Sequence, residues 1–109
     1  MISWQEFEKV ELRVGTIIGV NDFPKARIPA YKLKIDFGEL GIKQSSAQIT
    51  ELYSKEDLLR KQIIAVVNFP KKQIADFMSE CLVTGVVDGN EPVVLLHPER
   101  AVKNGLRIG

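Results

Sequence analysis

Cysteine and histidine are nearly absent from this sequence of 109 residues, which contains one of each, Cys81 and His97. A single cysteine excludes a disulfide within the chain and favours a reducing compartment. One cysteine and one histidine are also a poor basis for a zinc site, which needs several such ligands. We therefore expect no metal, no cofactor and a cytoplasmic protein.

An excess of charge of one sign is absent as well, because 15 basic residues are balanced by 14 acidic ones. Any nucleic-acid site must therefore arise from local clustering of basic side chains. The sequence has no apolar run near the ~20 residues that span a bilayer, no basic-then-apolar leader and no common glycine-rich nucleotide-binding motif. The length of the chain fits a single domain over residues 1–109. Since no catalytic constellation is evident either, we expect that this domain is not an enzyme.

Two short helices are predicted by their first residues. Ser3 and Glu6 have the spacing of a capping box, which predicts a helix over Trp4–Lys9. Ser54 begins a second short helix that ends near Lys61. Alternating and apolar runs predict the β-strands. These strands cover residues 12–21, 31–37, 42–49, 63–67, 81–87 and 92–97, and the tail at 98–109 is predicted to form a final hairpin.

Three strands, a helix and two strands follow one another in the order of an OB-fold, a small five-stranded Greek-key barrel. We therefore predict an all-β protein with small flanking helices, in which an N-terminal helix and a C-terminal extension accompany this barrel. Gly15 and Gly19 interrupt the first strand and predict bulges or bends that let it curl.

Basic side chains gather on the hairpin predicted over residues 31–49 and on the segment 68–80. In an OB-fold this side receives oligonucleotides, whose phosphates lysines neutralise. The pattern leaves a second interpretation open, because exposed strands often carry lysine for solubility and edge protection. Lys43 and Ser45 are predicted to lie on one face of their strand, and this face is expected to belong to the lysine-bearing outer surface of the hairpin. The candidate RNA-binding residues are Lys32, Lys34, Lys43, Ser45, Asn68, Lys72 and Ser79.

Trp4 and Phe7 lie three residues apart on one face of the first predicted helix. That helix is too short to be stable by itself in water. Its apolar face must dock either on the core of the same chain or on a second subunit.

Several motifs in the sequence resemble those of the CsaA family, and the match runs through nearly the whole chain. CsaA proteins belong to the wider tRNA-binding-domain family, which includes the C-terminal domain of some methionyl-tRNA synthetases. The motifs are "LRVGTI" at 12–17, "FPKAR" at 23–27, "KLKIDFG" at 32–38, "KQSSAQIT" at 43–50 and "VVNFP" at 66–70, together with Ser79-Glu80.

The resemblance implies an OB-fold homodimer, with Trp4 and Phe7 as interface candidates. It also implies an export-related chaperone that binds unfolded polypeptides or preproteins, and the lack of a nucleotide motif makes this chaperone ATP-independent. The alternative that it implies is tRNA binding through the same surface. Asn68, Lys72 and Ser79 match the tRNA-contacting loop of the wider family, whereas Arg27, Gln73, Cys81-Leu82 and the run "SSAQ" depart from its pattern.

Phe69, Phe77 and Met78 place apolar material near the lysines of segment 68–80, and they are the candidate peptide-binding residues. An apolar groove with a positive rim suits unfolded chains, and methionine adapts to varied partners. The alternative is that Phe77, three residues after Ile74, only caps the end of the barrel.

Overall fold

The computed structural model describes residues 1–109, and β-strands make up most of its regular structure. None of its helices has the length and apolar character needed to cross a bilayer. In chain order the elements are α1 (Trp4–Glu8), β1 (Leu12–Asp22), β2 (Tyr31–Asp36), a 3-10 turn (Gly38–Leu40), β3 (Ile42–Ala47), α2 (Lys55–Leu58), β4 (Gln62–Val66), β5 (Lys72–Ile74), β6 (Phe77–Ser79), β7 (Leu82–Val83), β8 (Gly85–Asp88) and β9 (Glu91–Leu95).

A five-stranded antiparallel sheet, in the order β3-β2-β1-β4-β7, forms the body of the fold. The long strand β1 pairs with β2 and with β4. The sheet curls until β3 approaches β6 and β7, which confirms the predicted OB-like barrel. The strands β5-β6 and β8-β9 form two separate hairpins outside this sheet.

The helix starts and the bend in β1 agree with the sequence. Ser3 Oγ accepts a hydrogen bond from the Glu6 amide at 3.1 Å, and the Ser3 amide donates to Glu6 Oε1 at 3.0 Å. Ser54 and Asp57 repeat this capping box at α2. The register between β1 and β2 shifts just before Gly19, which confirms the bulge predicted there, whereas β1 pairs with β4 through Gly15 without a shift.

The core lies inside the barrel, where one face of β2 is completely covered. Tyr31, Leu33 and Ile35 are buried together with Phe37, which follows the strand. The alternation of the sequence therefore assigned the inner face of β2 correctly.

The C-terminal tail differs from the prediction, because residues 98–109 form no hairpin. Instead the tail runs beside the start of β1. Val14 donates its amide hydrogen to Leu106 O at 3.0 Å and accepts from the Gly105 amide at 2.7 Å, and the Ile108 amide donates to Leu12 O at 2.9 Å. The reason is that β2 pairs with β1 only from Thr16 onward, which leaves an open edge that the tail fills.

Gly15 lies where β1 passes close to β2, and this position provides a test of the barrel. A Cβ atom at Gly15 would lie 2.6 Å from Ile35 Cγ2 and 2.7 Å from Phe37 Cε1. We expect Gly15→Ala to lower the free energy of unfolding by roughly 1–3 kcal/mol, because overpacking a dense core forces its side chains to move. Urea denaturation measures this change.

Gly89→Ala is the matched control, because Gly89 has no atom within 4 Å of the added Cβ. Equal stability of the two variants would contradict this account of β1.

Candidate functional site

The hairpin β5-β6 packs against the barrel beside β3. Lys72 pairs with Ser79, and Ile74 pairs with Phe77. Because paired residues of a hairpin share one face, these four side chains lie on the same side, and Gln73 and Met78 lie on the other. This hairpin differs from the prediction, because segment 68–80 was expected to be a loop.

Gln44 on β3 holds the hairpin and closes the barrel. Its amide donates to Glu80 Oε1 at 3.0 Å, and its carbonyl accepts from the Glu80 amide at 2.8 Å. The Gln44 side chain also donates through Nε2 to Met78 O at 2.8 Å. One residue therefore fixes both the end of β6 and the start of the strand that follows.

A groove with a volume of about 480 Å³ lies between this hairpin, the segment before it and the start of β7. Its apolar lining is well exposed, since Phe69 is 54% and Leu82 is 51% accessible. Lys71 and Lys72 also line the groove. Lys71 Nζ lies 3.5 Å from Glu80 Oε2. The full set of lining residues is Ser46, Phe69, Pro70, Lys71, Lys72, Ile74, Ser79, Cys81 and Leu82.

Cys81 contributes a buried, neutral wall to the groove. Burial raises the pKa of its thiol to about 12, and the nearby Lys43 only partly opposes this effect. Since the thiolate is the reactive form, Cys81 acts here as a small apolar group. No three His, Cys, Asp or Glu side chains come together in a way that could hold a metal ion.

Lys32 borders a second depression, and its charge is held over two aromatic rings. Lys32 Nζ lies 4.9 Å from the ring centroid of Phe23 and 5.5 Å from that of Phe77. The two rings are 5.5 Å apart. A cation at this distance is stabilised by the ring faces, so Lys32 helps to attach the hairpin to β2. The depression measures about 270 Å³ and is lined by Asn21, Lys32, Leu33, Lys34, Gln44 and Phe77.

The structure divides the predicted lysine surface between the two faces of the sheet. Lys32 and Lys34 point outward from β2, as predicted. The prediction that Lys43 and Ser45 join them was wrong, because these residues pair with the inward-facing Ile35 and Leu33. The side chain of Ser45 is buried, so a surface-bound RNA has no access to it.

The two polar residues that flank the hairpin already have partners within the chain. Both ends of the Asn68 side chain bond to the backbone of residues 9–11. Ser79 Oγ donates to Cys81 O at 3.3 Å, although Ser79 also lines the groove.

The three predicted peptide-binding residues occupy different places. Phe69 lines the groove. Phe77 packs against Phe23 and borders the second depression instead. Met78 lies on the opposite face of the hairpin from the groove-lining Ile74.

Sequence reasoning missed Ser46 and Leu82, which reach the groove. Ser46 differs from Ser45 only in the register of β3 against β2, which pairs Ser46 with the outward-facing Lys32. The 3-10 turn at Gly38–Leu40 sets this register, and no periodic pattern in β3 shows it. Leu82 was predicted to be part of an ordinary apolar strand, so nothing marked it as a residue of the groove.

Trp4 and Phe7 do not dock on the core of their own chain. Trp4 is 85% exposed, and α1 contains no buried residue. Together with Ile2 and Ser3 they line a shallow depression. The sequence left open whether the aromatic face of α1 docks on the core of its own chain or on a second subunit, and the structure excludes the first of these.

A protein-family model described as "Putative tRNA binding domain" matches residues 12–107 of the chain. The chain belongs to this tRNA-binding-domain family.

Within that family the chain is similar to solved CsaA chaperones, so the resemblance seen in the sequence is confirmed. The chain is 51% identical to the CsaA structure from Bacillus anthracis str. Ames. The match covers 100% of this chain and 99% of that one, with a TM-score of 0.95. The Picrophilus torridus CsaA structure is 53% identical, with full coverage of both chains and a TM-score of 0.93.

Methionine–tRNA ligases contain a similar segment. The chain is 36% identical over 107 residues to the enzyme of Thermococcus onnurineus, a match that covers 98% of this chain. The chain spans only 14% of the length of that ligase.

Proposed function

We propose that this protein is a homodimeric, cytoplasmic and ATP-independent chaperone of the CsaA type. Its clients are exposed apolar segments of unfolded polypeptides, including preproteins on their way to export. The observation that carries this proposal is the groove beside β5-β6, which combines exposed apolar side chains with lysines. The likeness to two CsaA structures over the full chain supports it.

The chemistry of the groove suits an extended, apolar client segment. Phe69 and Leu82 present apolar surface in the same groove as Cys81, which stays neutral because its pKa is raised to about 12. Burying one large apolar side chain there contributes about 1.5–3 kcal/mol. One such contact is weak by itself, so a dimer with two grooves would gain from binding two segments of the same client. Lysines at the rim favour clients with acidic residues beside the apolar ones.

The groove is tested by Phe69→Asp, which places a charge on its apolar lining. We expect this variant to lose most of its ability to suppress the aggregation of a chemically unfolded client, because a buried carboxylate opposes apolar contact. Light scattering of the diluted client, without ATP, measures the effect.

Met78→Asp is the matched control, since Met78 lies on the other face of the hairpin. We expect it to retain suppression close to the wild-type level. If Met78→Asp fails while Phe69→Asp remains active, the client surface is the outer face of the hairpin and not the groove.

The proposed dimer interface is the apolar face of α1. A tryptophan that is 85% exposed, next to a second aromatic side chain on a helix of five residues, is typical of a surface that another chain covers. A second copy of the chain would supply the burial that keeps this short helix in place.

We expect the wild type to sediment as a dimer at micromolar concentration and the double variant Trp4→Ser/Phe7→Ser to sediment as a folded monomer. Leu59→Ser serves as the control, because Leu59 is also exposed but lies beyond the end of α2. A wild type that remains a folded monomer throughout this range would refute the proposed interface.

A second candidate function is tRNA binding, and membership of the tRNA-binding-domain family favours it. Lys34 and Lys72 are exposed and take part in no ion pair within the chain. They stand at the two depressions that border the hairpin. Free lysines of this kind neutralise phosphates and release counterions.

The variant Lys34→Glu/Lys72→Glu tests this second function without disturbing the aromatic contacts of Lys32. We expect its affinity for folded tRNA to fall at least roughly tenfold, and the salt dependence of binding to decrease by about two phosphate contacts. Filter binding across a salt series measures both quantities. Arg100→Glu/Lys103→Glu carries the same change of net charge on the C-terminal tail, and an equal loss in that variant would mean that binding depends on net charge and not on this surface.

A further inference from the structure

Asn68 joins the start of the groove to the end of the N-terminal helix. Its Oδ1 accepts a hydrogen bond from the Glu11 amide at 3.0 Å, and its Nδ2 donates to Lys9 O at 2.7 Å. The Val67 amide adds a third bond, to Glu11 O at 2.9 Å. Two segments that are 57 to 59 residues apart in the chain are therefore held together at this point.

Within its own chain the helix α1 depends on this connection, because no side chain of the helix is buried there. It has five residues, none of them buried. The last carbonyls of a helix lack partners within the helix and need groups from elsewhere. Here Asn68 satisfies Lys9 O, and Arg107 donates from Nη2 to Glu8 O at 2.6 Å.

The other side of Asn68 is the groove. The next two residues of the chain, Phe69 and Pro70, line the groove, and Phe69 is 54% exposed there. A ligand that shifts the backbone of Phe69 also shifts Asn68, and the two hydrogen bonds of the Asn68 side chain transmit that shift to Lys9 and Glu11.

We propose that Asn68 is a positioning residue that couples α1 to the groove, and that it does not serve mainly as a contact to RNA. This proposal rests on the proposed function for the identity of the groove's ligand. Because such coupling is reciprocal, whatever covers Trp4 and Phe7 changes the affinity of the groove, and an occupied groove changes the surroundings of Trp4.

The first test concerns the connection itself and needs no ligand. In Asn68→Ala we expect trypsin to cut after Lys9 roughly fivefold faster for each hydrogen bond lost, while cutting after Lys103 stays constant as an internal reference. Asn90→Ala is the matched control, because Asn90 is exposed in the β8-β9 turn and forms no side-chain hydrogen bond within the chain. An unchanged rate after Lys9 in Asn68→Ala overturns the proposal.

The second test reads the coupling through Trp4, the one tryptophan of the chain. The probe is a short tryptophan-free peptide of leucine and serine with acidic ends. We expect it to change the Trp4 fluorescence of the wild type and of Asn90→Ala, but to bind Asn68→Ala with little or no such change. Arg107→Ala loosens α1 at its other attachment and leaves Asn68 in place, so we expect it to keep the peptide-induced change.

The outcomes separate this proposal from the one on which it rests. A wild type that binds the peptide without any change at Trp4 overturns the coupling. A wild type that does not bind the peptide counts against the chaperone function, whereas the trypsin result still decides whether Asn68 holds α1. If Asn68→Ala weakens tRNA binding while cutting after Lys9 is unchanged, Asn68 is an RNA contact and the proposal is wrong.

Discussion

The exchange of hydrogen bonds between Gln44 and Glu80 is the contact on which the rest of this structure depends. Two bonds, at 2.8 and 3.0 Å, join the edge of β3 to the chain that enters β7 and so close the curled sheet. A third bond, from the Gln44 side chain to Met78 O, fixes the β5-β6 hairpin at the same place. Because one residue performs both tasks, closing the barrel also shapes the groove beside it.

The hairpin β5-β6 borders two depressions on this small protein. Its Ile74 belongs to the apolar groove, and the paired Phe77 holds Lys32 against the second depression. A protein with nearly balanced charge thus presents apolar and basic groups side by side. Exposed apolar groups can contact unfolded polypeptide and basic groups can contact phosphate, so the two proposed functions would use neighbouring surfaces of the chain.

Much of the fold could be predicted, because its signals are local. The capping boxes at Ser3 and Ser54 depend on residues three positions apart, and the alternation of β2 is visible within seven residues. The candidate site was less predictable. Lys32, Lys34 and Phe69 were placed correctly at the surface, but Ser45 and Lys43 were assigned to the wrong face, since that assignment requires the register between two strands.

The sequence by itself determined where the helices begin, which face of β2 is buried, and the family to which the chain belongs. Each of these properties follows from neighbouring residues or from short motifs. Only the tertiary structure decided that Asn68 bonds to the backbone of residues 9–11, that the tail completes the edge of β1, and that Ser46 and Leu82 meet in one groove. These contacts join residues far apart in the chain, and the closure of the barrel creates them.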